Sequence, residues 1–351
     1  MPVRPIGWKP MPQWGVPVGV REAIEERERN TLSRFAQLSV TSLGRATPEN
    51  PDTIRTAFMR DRDRILHSKP FRRLKHKTQV FLDPYGDHYR TRLTHTLEVA
   101  QVARTVGRAL RLNEDLIEAI TLGHDVGHTP FGHAGEAALD EALRELGAES
   151  SRFRHHEQSL RIVDVLTPMN LSEEVRLGIG GHSKGRNDLT SYDGEPTSTL
   201  EAAVVRVSDR IAYLNHDLDD ALRAGILTEI PLPFRPLGDT HGERVGCMVT
   251  DVIENSLDSP AIRLSPRMLQ ALNDIKAFLF EHVYDRYGDT FPDVAKSQAV
   301  VQELFRWYLQ PGHLPEGYKG VQGAVDYVAG MTDRFATETF VNLRVPASWR
   351  T

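Results

Sequence analysis

The sequence is nearly devoid of cysteine, of long apolar runs and of the strict alternation that marks β-strands. Cys247 is the only thiol among 351 residues. That excludes internal disulfides, thiolate zinc sites and CxxC redox chemistry, and it suits a reducing cytoplasm. No apolar run approaches the ~20 residues that a helix needs to cross a bilayer, so no membrane partner is expected. The opening MPVRPIGWKPMPQWG lacks a basic region followed by an apolar one, so it does not read as a secretory signal. Extreme charge is absent too. A net charge of −5 argues against a general nucleic-acid coat protein.

Hydrophobic residues make up 40% and charged residues 26%, the balance of a globular protein whose length suggests two lobes or one helical domain with an appendage. The charge is uneven. Residues 55–92 carry eleven Lys/Arg against four Asp, a net +7, which fits either a confined anionic ligand or a solvated helix face.

Residues 1–53 read as an arm, with five prolines in the first seventeen positions (Pro2, Pro5, Pro10, Pro12, Pro17) and one short helix near Val20–Gln37. Beyond it, helical periodicity dominates. Leu93, Leu97, Val99, Val102, Ala103, Val106 and Leu110 mark an amphipathic helix. Further helices are predicted over Leu116–His124, Glu136–Leu146, His156–Leu166 and 199–224, with breaks at Gly123, Gly127 and Gly147. Segments 183–198 and 227–241 read as loops. Helices near 244–257, 265–288, 293–309 and 319–340 complete an all-α chain.

The window 120–136, ITLGHDVGHTPFGHAGE, packs His124, Asp125, His128, His133 and Glu136 among Gly, Thr and Pro. So many ionisable groups cannot all be buried unpaired; they are solvated, mutually paired or metal-bound. His124–Asp125 follows the apolar Ile117, Ile120 and Leu122, where a core helix ends. Imidazole with carboxylate suits a divalent ion, although an HD dipeptide alone is commonly coincidence. Two further donors strengthen it. His95 lies beside the apolar stripe of its helix, where a core histidine is the plain alternative. Asp209 sits among Val204, Val205, Val207, Ile211 and Ala212, where a carboxylate needs a cation or a hydrogen-bond network. Asp209, Tyr213 and Asp217, at i, i+4 and i+8, share one helix face.

His95, His124–Asp125 and Asp209 form an H…HD…D order that resembles the HD-domain metal-dependent phosphohydrolases. The ordered blocks FMRDRDRILHSKPFRRLKHKTQVF (58–81), RTRLTHTLEVAQVAR (90–104), GHDVGHTPFGHAGE (123–136), HHEQS (155–159) and SDRIAYLNHD (208–217) resemble more narrowly the dGTP triphosphohydrolase family. KAFLFEHVY (276–284) is similar to the start of that family's C-terminal associated region. The resemblance implies an HD helical core over 54–242 and a C-terminal associated region over 243–351. Thr129 departs from the Pro or Gly usual in the family after the GHDxGH block.

The implied reaction is hydrolysis of a deoxynucleoside triphosphate (dNTP), dGTP or others, to deoxynucleoside and triphosphate. The resemblance implies a divalent metal (Mn²⁺, Mg²⁺ or Fe²⁺) on His95, His124, Asp125 and Asp209. It assigns catalysis to His133 and Glu136, with His128 as a phosphate donor or second acid. Arg92 and Arg210 would meet phosphate, with Arg73 and Lys77 as weaker candidates. Gln79, Tyr213 and Asp217 would meet the deoxyribose, and His156 holds a further active-site position. The relatives are homo-oligomers, often hexamers, and some respond to a nucleotide effector. The competing readings are an HD phosphatase or phosphodiesterase on another nucleotide, and a module binding a nucleotide or single-stranded nucleic acid through the 55–92 stretch.

Overall fold

The computed structural model describes residues 19–79, 90–147, 152–183, 197–284 and 292–346. The Pro-rich arm over 1–18 and most of the loop expected at 183–198 lie outside the described residues. Among those described, two isolated bridges, Arg45 with Ser172 and Thr78 with Thr91, take the place of any sheet. The chain is all-α, as its patterning predicts.

In order, α1 (Val20–Thr31) is followed by α2 (Ala57–Leu66), the short α3 (Lys69–Arg73), α4 (Arg92–Ala109) and α5 (Glu114–His124). Then come α6 (Gly132–Glu145), α7 (His155–Arg161, prolonged by a π-helical turn Ile162–Leu166), α8 (Glu173–Gly181) and α9 (Leu200–Arg223). The remainder is α10 (His241–Ser256), α11 (Pro266–Leu279, prolonged by a π-helical turn Phe280–Tyr284), α12 (Pro292–Tyr308), α13 (Gly320–Ala329) and α14 (Asp333–Arg344).

Several boundaries depart from the periodicity reading. The helix expected over Val20–Gln37 stops at Thr31. The one expected over 319–340 is two helices: α13 ends before Gly330, and the Thr332 hydroxyl accepts the Phe335 N–H to start α14. Helices α2 and α8 were not expected. In α2 the buried stripe is Phe58, Asp61 and Ile65, so a charge interrupts it. Asp61 is fully buried, accepts from the Ser172 N–H (2.9 Å) and hydroxyl (2.6 Å), and pairs with Arg45. In α8 three glycines hide the pattern.

Helix α5, apolar nearly all round, is enclosed by α2, α4, α8 and α9 and is the axis of the main core. Helices α10 and α11 pack onto the same core through Met248, Val252, Leu272 and Ile275, so the main core runs past the boundary expected at 243. A second core joins Leu139 and Leu143 of α6 to Leu304 and Phe305 of α12 and Val325 and Val328 of α13.

Two glycines set how closely α5 and α8 approach. A Cβ on Gly123 would lie 2.4 Å from Ile179 Cδ1, and one on Gly178 would lie 2.5 Å from Ile120 Cδ1. Each helix therefore seats an isoleucine against the other's glycine, which draws their C-termini together. Gly123, expected as a break, lies inside the last turn of α5 for this reason. Gly178→Ala should lower stability by about 1–3 kcal/mol through overpacking against branched Ile120. Gly246→Ala, in α10 with open space around it, should be neutral or stabilising. Thermal unfolding of the two variants checks this.

Candidate metal centre

The centre is built where α5 and α8 end, between the N-terminal turn of α4 and the middle of α9. His95 Nε2 lies 3.1 Å from Asp209 Oδ1. His124 Nε2 lies 3.9 Å from that oxygen and 3.4 Å from Asp125 Oδ1. The donor atoms of His95, His124 and Asp209 all fall within 4.8 Å of one another, so three side chains far apart in sequence converge on one point.

The helix end decides which nitrogen His124 offers. Its Nδ1 is 2.6 Å from the Thr121 carbonyl, one of the carbonyls a helix leaves unpaired in its last turn. A carbonyl only accepts, so Nδ1 carries a proton, and in the neutral ring the lone pair lies on Nε2. That Nε2 is fully buried and has no hydrogen-bond partner. An orphaned lone pair facing two carboxylate oxygens is the donor arrangement a divalent cation fits. Arg92 donates to Asp125 Oδ2 at 2.7 Å, which turns Oδ1 toward the imidazoles. Asp125 is buried, yet the neighbouring His124, His128 and Arg92 hold its carboxyl well below the usual range. Asp209 is likewise drawn down to about 2 against burial, chiefly by the bond from His95. Behind His95, its Nδ1 lies 3.3 Å from His216 Nδ1, and His216 Nε2 lies 3.2 Å from Glu98. This chain fixes the ring's orientation.

A second group of imidazoles adjoins the first. His133 stands at the rim, its side chain 64% exposed, with Nδ1 3.2 Å from Glu136 Oε2. The other Glu136 oxygen lies 2.9 Å from His155 Nδ1. Glu136 is half-buried, and His155 and His133 keep its carboxyl well below the usual range. His128 stacks on His155 with ring centroids 3.9 Å apart, and burial with nearby Arg92 and His155 holds it neutral. Gly127 makes the approach of α7 possible: a Cβ there would fall 2.2 Å from the Ser159 nitrogen. Ser159 in turn donates to the His124 carbonyl at 2.7 Å and accepts the Gly127 N–H at 2.9 Å.

On α9, Asp217 lies two turns beyond Asp209. Its Oδ2 accepts the Tyr284 hydroxyl, and its buried Oδ1 has no partner. Burial pushes this carboxyl up to about 7, against the Tyr284 bond that lowers it. Arg210 is buried with its guanidinium 5.8 Å from the Tyr213 ring centre. Gln79 is buried with an unpartnered Oε1 and gives its carbonyl to Arg92. His156 is half-buried and stands off the cluster; it is its neighbour His155 that enters it.

The basic stretch is largely spent inside the protein. Arg55 pairs with Asp52, Arg60 and Arg64 with Glu49, Arg62 with Asp115, and Arg90 with Glu98 and Asp220. Lys77, considered as a solvated or phosphate-binding cation, is buried and donates to the carbonyls of His128 and Ala329. Arg73 donates to the Gly330 carbonyl.

The C-terminal helices clamp the site's loops. Asp333 accepts the backbone N–H of Thr78 and of Phe131, both at 2.9 Å. Phe131 holds a left-handed φ of 61° there, just before α6 begins. Asp326 takes a forked pair of bonds from Arg161 at 2.7 Å and one from Gln158, which secures α7.

Sequence reading missed His182, His216, Tyr284 and Asp333 and left His155 unassigned. One signal for His182 was present: Gly181–His182 closes α8 as Gly123–His124 closes α5. A groove of about 800 Å³ beside α10 and α11, lined by Cys247, Asp251, Glu254 and Arg267, borders none of these histidines. No described helix is long and apolar enough to cross a membrane.

Comparison with known proteins agrees with this geometry. Residues 92–214 match the HD domain and residues 262–342 the phosphohydrolase-associated domain. A protein of Caldanaerobacter subterraneus subsp. tengcongensis is 49% identical over 345 residues, covering 94% of this chain and 97% of that one. Relatives from Desulfatibacillum aliphaticivorans (45% over 355 residues) and Clostridium perfringens (44% over 348) each cover 93% of this chain and 98% of their own. All three are named deoxyguanosinetriphosphate triphosphohydrolase-like protein. Similarity at that level over nearly the whole length makes this chain a member of the deoxyguanosinetriphosphate triphosphohydrolase-like family of HD-domain phosphohydrolases.

Proposed function

We propose that the protein hydrolyses deoxynucleoside triphosphates to deoxynucleoside and intact triphosphate, at a divalent cation held by His95, His124, Asp125 and Asp209. The observation that carries this reading is the buried, unpartnered His124 Nε2 facing the Asp125 and Asp209 oxygens. Bound there, the cation would supply Lewis acidity toward a phosphate oxygen and lower the pKa of water.

The chain's own groups do the rest. The leaving 5′-oxygen needs a proton, and His133 is an imidazole at the rim with its Nδ1 held by an ionised Glu136. That carboxylate holds the ring in place, so that its far nitrogen can hand a proton to the leaving oxygen. His128, kept neutral, is a hydrogen-bond partner for phosphate. Arg92 keeps an unpartnered Nε beside Asp125 and can add a donor for the same phosphate, with Arg210 as a second cation. The unpaired oxygens Asp217 Oδ1 and Gln79 Oε1 are acceptors suited to sugar hydroxyls. Tyr213, between Asp209 and Asp217, would crowd a 2′-hydroxyl and so favour deoxyribose. His156, its ring centre 5.5 Å from that of His155, would border the bound phosphates from behind that ring.

Three outcomes test the reading. With each dNTP and Mn²⁺ or Mg²⁺, anion exchange should resolve inorganic triphosphate as product; pyrophosphate or orthophosphate instead would refute it. Asp125→Ala should lose both cation and turnover, whereas His133→Ala should keep the cation, measured by elemental analysis, and lose about 10²–10⁴-fold in kcat. If the Asp217 carboxylate accepts a sugar hydroxyl, KM should fall as pH rises through about 7, where that group ionises. Tyr284→Phe removes the bond that lowers its pKa, so it should move this limb to higher pH; Asp217→Asn should abolish it.

A further inference from the structure

The His133 ring lies mostly outside the protein, so core packing does not hold it. Its position is set by Glu136 and by the backbone that carries it. That backbone is held in an unusual form. Phe131 and Gly132, the two residues before His133, both take a left-handed φ, 61° and 58°. For a bulky residue such as Phe131 this conformation costs free energy and persists only where the surroundings over-determine it. Two contacts do so here. The Phe131 ring is buried in the core formed by α6, α12 and α13, and the Phe131 N–H is donated to Asp333 Oδ1 at 2.9 Å.

Asp333 has no capping duty that would explain its presence. Thr332 caps α14 by accepting the Phe335 N–H, which leaves both Asp333 oxygens for other loops. Oδ1 takes Phe131 and Oδ2 takes Thr78, also at 2.9 Å. The two loops also touch directly. A Cβ on Gly132 would lie 2.8 Å from the Gln79 carbonyl oxygen and 3.2 Å from that of Thr78, so the segment carrying Gln79 runs against the segment carrying His133. The buried, unpartnered Gln79 Oε1 is the acceptor assigned above to the sugar. One carboxylate of the phosphohydrolase-associated domain thus meets both the segment of the sugar acceptor and that of the proton donor. An amide cannot replace it: a carboxylate offers an oxygen to each N–H, whereas an amide offers one oxygen and turns an NH₂ toward the other N–H.

We propose that Asp333 is a positioning residue for proton transfer to the leaving 5′-oxygen, acting through Phe131 on His133 and fixing its spacing from Gln79. The inference rests on the proton-donating role given above to His133. A displacement of about 1 Å in such a group costs up to about 10²-fold in rate.

A double-mutant cycle on the full-length protein, with a dNTP as substrate, tests it. Asp333→Asn should lower kcat by about 10–100-fold, with bound cation retained by elemental analysis. Hydrogen exchange followed by mass spectrometry should show faster exchange in peptides containing Thr78 and Phe131 and unchanged exchange in α5. In a His133→Ala background the same substitution should cost almost nothing further, because the group it positions is gone. Gly132→Ala, whose Cβ would press on the Gln79 carbonyl, should reproduce this coupled loss with Asp333 intact. Equal fold-losses with and without His133 would overturn the proposal and leave Asp333 a structural residue. Wild-type kcat or unchanged exchange in Asp333→Asn would also overturn it. Undiminished turnover in His133→Ala would overturn the acid assignment above and this proposal with it, so the two failures are distinguishable.

Discussion

Burying imidazole rings beside carboxylates is the constraint on which the rest of this structure depends. Each buried nitrogen left without a partner costs about 1–3 kcal/mol, and His95, His124, His128 and His182 are all almost inaccessible to solvent. The fold meets the demand with what helix ends have in surplus. The last turns of α5 and α8 present carbonyls that no helical N–H reaches, and His124 and His182 each use one. The remaining nitrogens then point inward, where protein atoms alone do not satisfy them all. The reciprocal seating of Ile179 on Gly123 and Ile120 on Gly178 follows from the same need, since these two helix ends must meet.

The phosphohydrolase-associated region belongs to this arrangement. Asp333 joins the loop before α4 to the loop before α6, Lys77 ties that frame to the end of α13, and Asp326 anchors α7. Through these bonds the rim residue His133 and the proposed ligand His95 are referred to one rigid support. The second core, built from α6 with α12 and α13, gives that support its apolar backing.

Much of the fold was legible because amphipathic helices announce themselves: α4, α5, α9 and α12 fall within a few residues of their expected limits. Breaks inside continuous apolar patterns were not legible, as between α13 and α14, where Thr332 restarts a helix without any change in composition. Within the site, His95 and Asp209 stood out because each is polar amid apolar neighbours. His182 carries no such contrast, since its segment is a short glycine-rich helix whose importance comes from packing on α5. The basic stretch left two readings open for a related reason. Some of its partner carboxylates, Asp115 for Arg62 and Asp220 for Arg90, are remote in sequence, so the matching of those charges could not be read from the run itself.

The bonds from Asp333 have a consequence for synthesis. Asp333 and Thr78 are 255 positions apart, and at elongation speeds on the order of 5–20 residues per second, the ribosome needs tens of seconds to travel from one to the other. During that interval the nascent histidine-bearing segments exist without the residue that later latches them. The latch is thereby deferred until α14 has been made, and a polypeptide terminated before α14 would carry every proposed ligand yet leave the entrance loops unlatched.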